Sequence, residues 1–374
     1  MIIKIIKKIV KNTLKNLAKI INFFNIFNIK VLNLSKKIFR IPFLKHDFGL
    51  ILSIFLKRNY LSHVVRPKYA KDVDQISTNT NFDNKVGIIL QGPIGDRNFL
   101  IETIGLYSKI FPNCHVVLST WKDEDVKNID KYNKNLHIIQ SNYPSEPGYF
   151  SKKINYQLKS TSAGINFLKT LNVDYIIKSR TDCRIYKPNT IPYLLSLFKN
   201  FPKKNNGDSS RIFATGIGTS KYKVYGLADL FQFGRTRDLE LYFKFEDEKT
   251  IMANYGFNNK KIIKGTALVN PSLLCARYLR NLNIELKWSL DHWWECLRDH
   301  FGIIDADSID LLWLKHNWEF EKRLVRNYNF KASRAVEFSD WLSLYTHNKM
   351  DWEKTGYHEQ FEEREGEIHH LKVF

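Results

Sequence analysis

The sequence predicts an α/β fold in which a mostly parallel sheet is flanked by helices, and two observations support this prediction. From residue 86 onward, short apolar runs typical of buried strands alternate with segments of helical periodicity. Polar clusters follow two of these runs directly, as expected where parallel strands end beside a ligand site. The composition, 44% hydrophobic and 26% charged over 374 residues, is that of a globular protein and excludes a multispanning membrane protein.

The first 60 residues differ in charge from the rest of the chain. They contain 13 Lys and Arg and one acid, Asp47, and so contribute +12 of the net charge of +20. If residues 2–24 are helical, their apolar side chains form one stripe, and most lysines lie apart from it. That stripe consists of Ile3, Ile6, Val10, Leu14, Leu17, Ile21 and Phe24. Polar residues interrupt every apolar run before about 20 residues, so neither a membrane span nor a cleaved signal peptide is predicted.

We therefore predict that residues 1–65 form a basic amphipathic helical segment that binds an anionic membrane surface from the cytoplasmic side. The alternatives are a helix packed on the protein's own core and a nucleic-acid contact. Nucleic acid is not the expected partner, because asparagines and aliphatic residues, not base-stacking aromatics, separate the lysines.

The remaining elements follow in order along the chain. Residues 66–84 are polar and without pattern, and we interpret them as a linker into the main domain. Buried strands are predicted at residues 86–90, 115–118, 136–140, 175–177 and 211–215. Helices are predicted at residues 99–110, 152–171, 272–282 and 290–301, and near Leu239. This alternation indicates βαβ units of the Rossmann type.

Two common kinds of site are not indicated. The chain contains neither GxGxxG nor GxxxxGK[ST], which argues against a dinucleotide-dependent dehydrogenase and a P-loop kinase. Its four cysteines have no CxxC spacing, so neither a disulfide framework nor a zinc site is predicted.

The strongest candidate site is the run KSRTDCR, residues 178–184, directly after a predicted strand. If the backbone stays extended, alternation places Lys178, Arg180, Asp182 and Arg184 on one side. Three cations around one carboxylate suit a polyphosphate, because the cations screen its charge and the carboxylate can hold a bridging divalent metal ion. The alternative is a ladder of surface salt bridges.

A second candidate is Gln91-Gly92-Pro93, at the end of the first predicted strand. A glycine at this position allows the backbone to approach a base or ribose closely, although a purely structural turn has the same signature.

Several separated motifs, in one order, resemble the WavE family of lipopolysaccharide-synthesis proteins. They are VGIILQGPI from residue 86, the segment 103–121 ending in LSTW, NxQxxSTxxG from residue 155, DYIIKSRTDCR from residue 174 and GLADxxQFG from residue 226. The resemblance covers residues 85–320 and leaves residues 321–374 as a C-terminal helical extension with an acidic tail. It implies a GT-A-like glycosyltransferase domain that uses a nucleotide-diphospho-sugar donor. The acceptor would be lipopolysaccharide core or a related lipid-linked glycan, with the enzyme peripheral on the inner membrane.

The resemblance also implies roles for individual residues. By this resemblance, Arg180-Thr181-Asp182 occupies the place of the DxD metal motif, with only the last acid present. Asp182 is therefore the candidate ligand for Mn²⁺ or Mg²⁺. Arg180 or Arg184 is a candidate for supplying part of the metal ion's positive charge. The other residues assigned to donor binding are Gln91, Gly92, Pro93, Thr120, Asn155, Gln157 and Lys178. For Asn155 and Gln157, polar capping of the helix start is the alternative.

Transfer with inversion requires a carboxylate that removes the proton of the acceptor hydroxyl. The candidates are Asp229, Glu295 and Asp291, in that order, because Asp229 lies in a loop between aromatic residues whereas Asp291 can simply cap a helix. His292 shares a helix face with Glu295, as either a metal pair or a structural pair. A nucleotidyltransferase of the same fold and a non-catalytic protein that binds anionic surfaces are the alternative functions.

Overall fold

The structure is a computed structural model that describes residues 66–73, 86–145, 154–203, 210–221, 223–247, 249–251, 270–314 and 335–347. Its strands are β1 (Val86–Gln91), β2 (His115–Trp121), β3 (Leu136–Ser141), β4 (Tyr175–Arg180), β5 (Cys183–Ile185), β6 (Ile212–Thr215), β7 (Gln232–Arg235), β8 (Phe301–Ile304) and β9 (Leu311–Trp313). Its helices are α1 (Arg97–Ile110), α2 (Ile154–Thr170), α3 (Thr190–Asn200), α4 (Thr236–Phe243), α5 (Asn270–Asn281), α6 (Leu290–His300) and α7 (Phe338–His347). The predicted membrane-binding segment, residues 1–65, and the acidic tail lie outside the described residues.

Seven of these strands form one sheet in the order β3-β2-β1-β4-β7-β6-β8. Parallel ladders join β3, β2, β1 and β4, and another joins β6 to β8. Only β7, among the strands of this sheet, runs antiparallel to its neighbours β4 and β6. The prediction of an α/β fold with a mostly parallel, helix-flanked sheet is confirmed. A separate antiparallel pair joins β5 to β9.

The sheet is covered by helices on both faces. Successive residues of β1 alternate between the two apolar cores, with Ile88 and Leu90 in one and Ile89 in the other. Helices α1 and α3 cover the first core, and α2, α4, α5 and α6 cover the second. Because both faces are buried, the central strands read as continuous apolar runs.

Residues 67–73, within the segment interpreted as a linker, pack against α1. Glu102 accepts a hydrogen bond from the backbone N–H of Ala70 (2.6 Å), and Lys109 donates one to the oxygen of Ala70 (2.7 Å). This part of the segment therefore belongs to the folded unit that begins at Pro67.

Helix α7 lies in the predicted C-terminal extension and also belongs to the main core. The buried indole of Trp341 donates to the main-chain oxygens of Leu297 (3.2 Å) and Phe301 (3.0 Å), at the junction of α6 and β8. None of the helices in the described ranges has the length and apolar character required to cross a bilayer.

His300, at the end of α6, makes the stability of the fold sensitive to acid. Burial and then the charge of Lys203 lower the pKa of His300 to about 3. The unfolded chain binds a proton at this residue below about pH 6.5, but the folded chain does so only near pH 3. We therefore expect the His300 contribution to stability to be lost as the pH falls through this window, by at most about 1.4 kcal/mol per pH unit.

The measurement is denaturant unfolding of the wild type and of His300→Gln between pH 7 and pH 4. The variant is expected to lose less stability over this range than the wild type. Comparing the two cancels Asp238, for which burial raises the pKa to about 6 and the pH effect has the opposite sign. Parallel curves for the two proteins would contradict the assignment to His300.

Candidate active site

The candidate site lies at the carboxyl edge of the sheet, where the neighbouring strands β1 and β4 end side by side. Gln91 is in register with Arg180. Beyond them, Thr181 donates its amide to Gln91 O (3.2 Å) and its hydroxyl to Pro93 O (2.6 Å). Gly92 makes this approach possible, because its φ of 121° is a conformation that other residues rarely adopt. The predicted Gln91-Gly92-Pro93 turn is therefore fastened to the end of β4.

Polar side chains of α2 line the same edge. The Gln91 amide donates to Ser160 Oγ (2.9 Å), and the Ser119 hydroxyl donates to Ser160 O (2.6 Å). One turn earlier, Asn155 is almost fully buried, and Gln157 donates to the carboxylate of Asp229 (2.7 Å). Of the predicted donor-binding residues, Gln91 on β1 is therefore joined to α2, and Gln157 on α2 is joined to the loop that carries Asp229.

The loop that carries Asp229 is held in place from both sides. Ala228 donates its amide to Thr219 Oγ1 (3.0 Å), and Gln232 donates its side chain to Ala228 O (2.8 Å). Lys178, which is fully buried, donates to the main-chain oxygen of Asp229. Only Oδ2 of the carboxylate is engaged by the described residues, through Gln157. Asp229 is thus a partly exposed carboxylate on a fixed backbone.

Three cations, Lys178, Lys223 and Arg180, interact electrostatically with Asp229. Burial has the largest influence on the pKa of each of these groups, and the negative charge of Asp229 opposes it in all three. The net effect lowers the pKa of both Lys178 and Lys223 to about 8. The site therefore combines one partly exposed carboxylate with cations suited to an anionic ligand.

Arg180 and Asp182 form a bidentate ion pair beside Trp313. Arg180 donates through Nε to Oδ1 (2.8 Å) and through Nη2 to Oδ2 (2.9 Å) of Asp182. The indole N–H of Trp313, on β9, donates to Oδ2 (3.2 Å), and the guanidinium lies 5.5 Å from the centroid of the Trp313 rings. Although burial raises the pKa of Asp182, the hydrogen bond and charge of Arg180 hold it below the ordinary value.

An aromatic cluster occupies the neighbouring ends of β2 and β3. Trp121 and Tyr143 are stacked with centroids 4.5 Å apart, and Tyr156 packs edge-on against both at 5.6 Å. Tyr143 is 47% exposed, whereas Trp121 is buried. The cluster presents an aromatic surface at the same edge of the sheet as Gln91.

The sequence profile of the WavE lipopolysaccharide synthesis family matches residues 86–363, which is most of the chain. The chain belongs to this family. The resemblance inferred from the separated motifs is therefore confirmed. No curated protein gives a significant match.

Several solved structures are similar to this WavE protein. One is a glycosyltransferase involved in the glycosylation of the major capsid of PBCV-1, with 14% identity over 46% of this chain and 77% of that chain and a TM-score of 0.26. Another is the bifunctional glycosyltransferase WbbM, with 12% identity over 54% of this chain and 38% of WbbM and a TM-score of 0.31. A third is the glycosyltransferase GlyE of Streptococcus pneumoniae TIGR4, with 10% identity over 78% of this chain and 66% of GlyE and a TM-score of 0.32.

Residues 180–182 do not fit a divalent cation. Mg²⁺ and Mn²⁺ are bound mainly by carboxylate and other oxygen ligands. Both oxygens of Asp182 already accept hydrogen bonds from Arg180, and no cluster of three or more His, Cys, Asp and Glu suited to a metal ion occurs among the described residues. The side chains around Asp182 thus disagree with the prediction that Asp182 is a ligand for Mn²⁺ or Mg²⁺.

Arg184 does not join the other charged residues of the KSRTDCR run in the WavE protein. The extended backbone is interrupted by a turn at residues 181–182, so the expected alternation ends before Arg184. Its buried guanidinium instead donates to Thr103 Oγ1 (2.9 Å), Phe99 O (2.8 Å) and Lys68 O (2.9 Å) on the α1 side of the sheet. The prediction that Arg184 faces the donor conflicts with this position.

Two further predicted groups lie outside the hydrogen-bonded cluster around Asp229. Thr120 is fully buried and, by alternation along β2, shares the α1 side with Leu118. Asp291 and Glu295 are exposed on α6, and the hydrogen bonds that join Gln157, Lys178 and Asp229 include neither. On α6, His292 contacts the hydroxyl of Tyr225 through Nδ1 (2.8 Å) and so has a structural partner besides Glu295.

The sequence did not indicate the roles of Lys223, Trp313 and Tyr143. Lys223, in the loop between β6 and β7, interacts with Asp229 through its charge. Trp313, 131 positions along the chain from Asp182, donates a hydrogen bond to its carboxylate. Tyr143 lies in an irregular segment just after β3. One sequence signal could have indicated the aromatic cluster: aromatic residues at or just after the ends of β2 and β3 lie at the predicted ligand edge of the sheet.

Proposed function

We propose that this WavE protein is a glycosyltransferase of the GT-A type that moves a sugar from a nucleotide-diphosphate donor to a hydroxyl of lipopolysaccharide core or a related surface glycan. The observation that carries the proposal is Asp229 at the carboxyl edge of a mostly parallel sheet, where Gln157 donates to its carboxylate, Lys178 donates to its main-chain oxygen, and the charges of Lys178 and Lys223 act on it. Membership of a lipopolysaccharide-synthesis family supports the choice of acceptor.

Asp229 is the group we assign to the acceptor. In a transfer with inversion, the bond from the anomeric carbon to the diphosphate oxygen breaks, and a bond to the acceptor oxygen forms. The proton of the acceptor hydroxyl moves to the Asp229 carboxylate, and the electron pair of the broken bond leaves on the nucleoside diphosphate. Gln157 orients the carboxylate through Oδ2. Lys178 is fully buried and therefore positions Asp229 and does not contact substrate.

The donor is assigned to the carboxyl ends of β2, β1 and β4. We place the nucleobase on the surface formed by Trp121 and Tyr143, because aromatic rings stack on bases irrespective of sequence. The diphosphate then lies toward Arg180 and Lys223. Strands β2 and β4 are separated only by β1, so about 10 Å separates the two ends, a distance that a nucleotide can bridge.

The membrane location is proposed from the sequence of residues 1–60 alone. A charge of +12 and an apolar stripe favour reversible binding to an anionic leaflet, where a lipid-linked acceptor lies. We therefore propose that the enzyme acts on the cytoplasmic face of the inner membrane.

The proposal is tested with the full-length chain and a panel of UDP-, GDP-, ADP-, CMP- and dTDP-linked sugars. A ligand that binds only the folded state raises the free energy of unfolding by RT ln(1 + [L]/Kd), about 2.7 kcal/mol at 100 Kd. We expect a thermal shift with one nucleotide class, and release of nucleoside diphosphate when a lipopolysaccharide-core acceptor is added. Release of pyrophosphate from a nucleoside triphosphate and a sugar 1-phosphate would instead identify a nucleotidyltransferase, and no shift with any donor would contradict both enzymatic functions.

A further inference from the structure

We propose that the guanidinium of Arg180, held by Asp182 and Trp313, supplies the positive charge that faces the donor's diphosphate, and that donor binding requires no divalent cation. This inference rests on the proposed function and deepens it. It starts from the side chains at the end of β4. There an arginine and an aspartate are paired, where a metal site would need two carboxylates.

The Asp182 carboxylate is fully committed to its neighbours. Arg180 donates one hydrogen bond to each carboxylate oxygen of Asp182, and the indole of Trp313 donates a third to Oδ2. Its backbone is also fixed, because the amide of Leu314 donates to Asp182 O (2.9 Å) beside the ladder of β5 and β9. A metal ion at Asp182 would have to break the bidentate pair and leave the half-buried guanidinium without its counter-ion, which is costly at a partly buried position.

The charge balance of the site also favours diphosphate binding without a divalent cation. The site holds two carboxylates and three cations: Arg180 is paired with Asp182, Lys178 donates to the main-chain oxygen of Asp229, and Lys223 acts on Asp229 through its charge. With the lysines protonated, the site carries a net positive charge before any ligand binds. Such a site attracts a diphosphate directly, and a divalent cation would add charge where cations already outnumber carboxylates.

Arginine has the geometry that this role requires. Its planar guanidinium presents several N–H groups in a fixed fork that matches phosphate oxygens, and it keeps its charge at any physiological pH. Asp182 engages Nε and Nη2 of Arg180. The third nitrogen, Nη1, is therefore oriented by the pair and has N–H groups to offer an anion. The side chain is 33% exposed, so a ligand can reach it.

The test measures the Kd of UDP, GDP, ADP and dTDP for the full-length protein by calorimetry, in EDTA and again with Mn²⁺ or Mg²⁺. The nucleoside diphosphate that binds is expected to do so with the same Kd, within about twofold, in all three conditions. A gain in affinity of tenfold or more on adding either metal ion would overturn the proposal while leaving the proposed function intact. Absence of binding by every diphosphate in every condition would instead reject the proposed function, and this inference with it.

Two variants test whether Arg180 is the residue that binds the diphosphate. A hydrogen bond to a charged group contributes about 1.5–3 kcal/mol, so Arg180→Gln is expected to weaken diphosphate binding in EDTA by about 10- to 100-fold. Binding of the matching nucleoside, which lacks phosphates, should stay unchanged. Arg298 offers a matched control, because it forms the same bidentate pair with its neighbour Asp299 (2.7 and 2.8 Å) on α6.

Arg298→Gln is expected to leave the Kd of the diphosphate unchanged. An equal loss in both variants, or no loss in Arg180→Gln, would contradict the role of Arg180. The comparison of EDTA with Mn²⁺ uses the wild-type protein and decides the metal question even if a variant folds poorly.

Discussion

Asp229→Asn is expected to lower the rate of sugar transfer by about 10²- to 10⁴-fold, the usual contribution of a positioned general base. The amide is nearly isosteric with the carboxylate and can still accept the hydrogen bond from Gln157, so the site keeps its shape. It cannot accept the acceptor's proton at neutral pH. Because Asp229 is assigned to the acceptor, the Kd of the nucleotide donor should change far less than kcat.

The measurement is kcat and donor Kd for Asp229→Asn beside Glu295→Gln and Asp291→Asn, the other two carboxylates that the sequence offered as the base. Both of these lie exposed on α6, and we expect their substitution to change kcat by less than about twofold, as for most surface substitutions. Thermal unfolding of each variant checks that the fold is kept. A loss of kcat confined to Glu295→Gln or Asp291→Asn would move the base to α6 and refute the role of Asp229.

The fold was predictable where burial on both faces of the sheet leaves a clear local signal. The apolar runs that became β1, β2 and β4 are flanked by helical periodicity, and each was placed within a few residues of its observed position. Strand β7, with the sequence QFGR, has no such signal, and it is a strand because it pairs with β4 and β6. Its antiparallel direction depends on tertiary structure, which local pattern does not encode.

The site was predictable in its location but not in its partners. The topology of parallel sheets predicts ligand-binding groups at the carboxyl ends of β1 and β4, and at that edge Gln91 is bonded to Ser160 and Gln157 to Asp229. Arg180 pairs with Asp182 because the chain turns at residues 181–182, and Trp313 joins them from a strand far along the chain. Alternation along an assumed strand could show neither, and it misplaced Arg184 for the same reason.

Arg184→Met is expected to destabilise the protein by about 2–5 kcal/mol and to leave the donor Kd unchanged within about twofold. The buried guanidinium satisfies the main-chain oxygens of Phe99 and Lys68 and the hydroxyl of Thr103. A methionine fills the space but donates to none of them, and each buried acceptor left without a partner costs about 1–3 kcal/mol. The same change removes the packing of the guanidinium on the Phe99 ring, 4.2 Å from its centroid.

Denaturant unfolding and donor titration of Arg184→Met and Arg180→Gln distinguish the structural role of Arg184 from the binding role of Arg180. Arg184 ties the segment at residues 67–68 to α1, so its loss should lower the unfolding midpoint while the site at the ends of β1 and β4 stays formed. Arg180→Gln should instead weaken diphosphate binding and lower stability less than Arg184→Met does, because its ion pair is partly exposed whereas Arg184 is buried. If Arg184→Met kept its stability and lost donor affinity, the extended arrangement of residues 178–184 would be the functional one, with Arg184 beside Arg180 at the diphosphate.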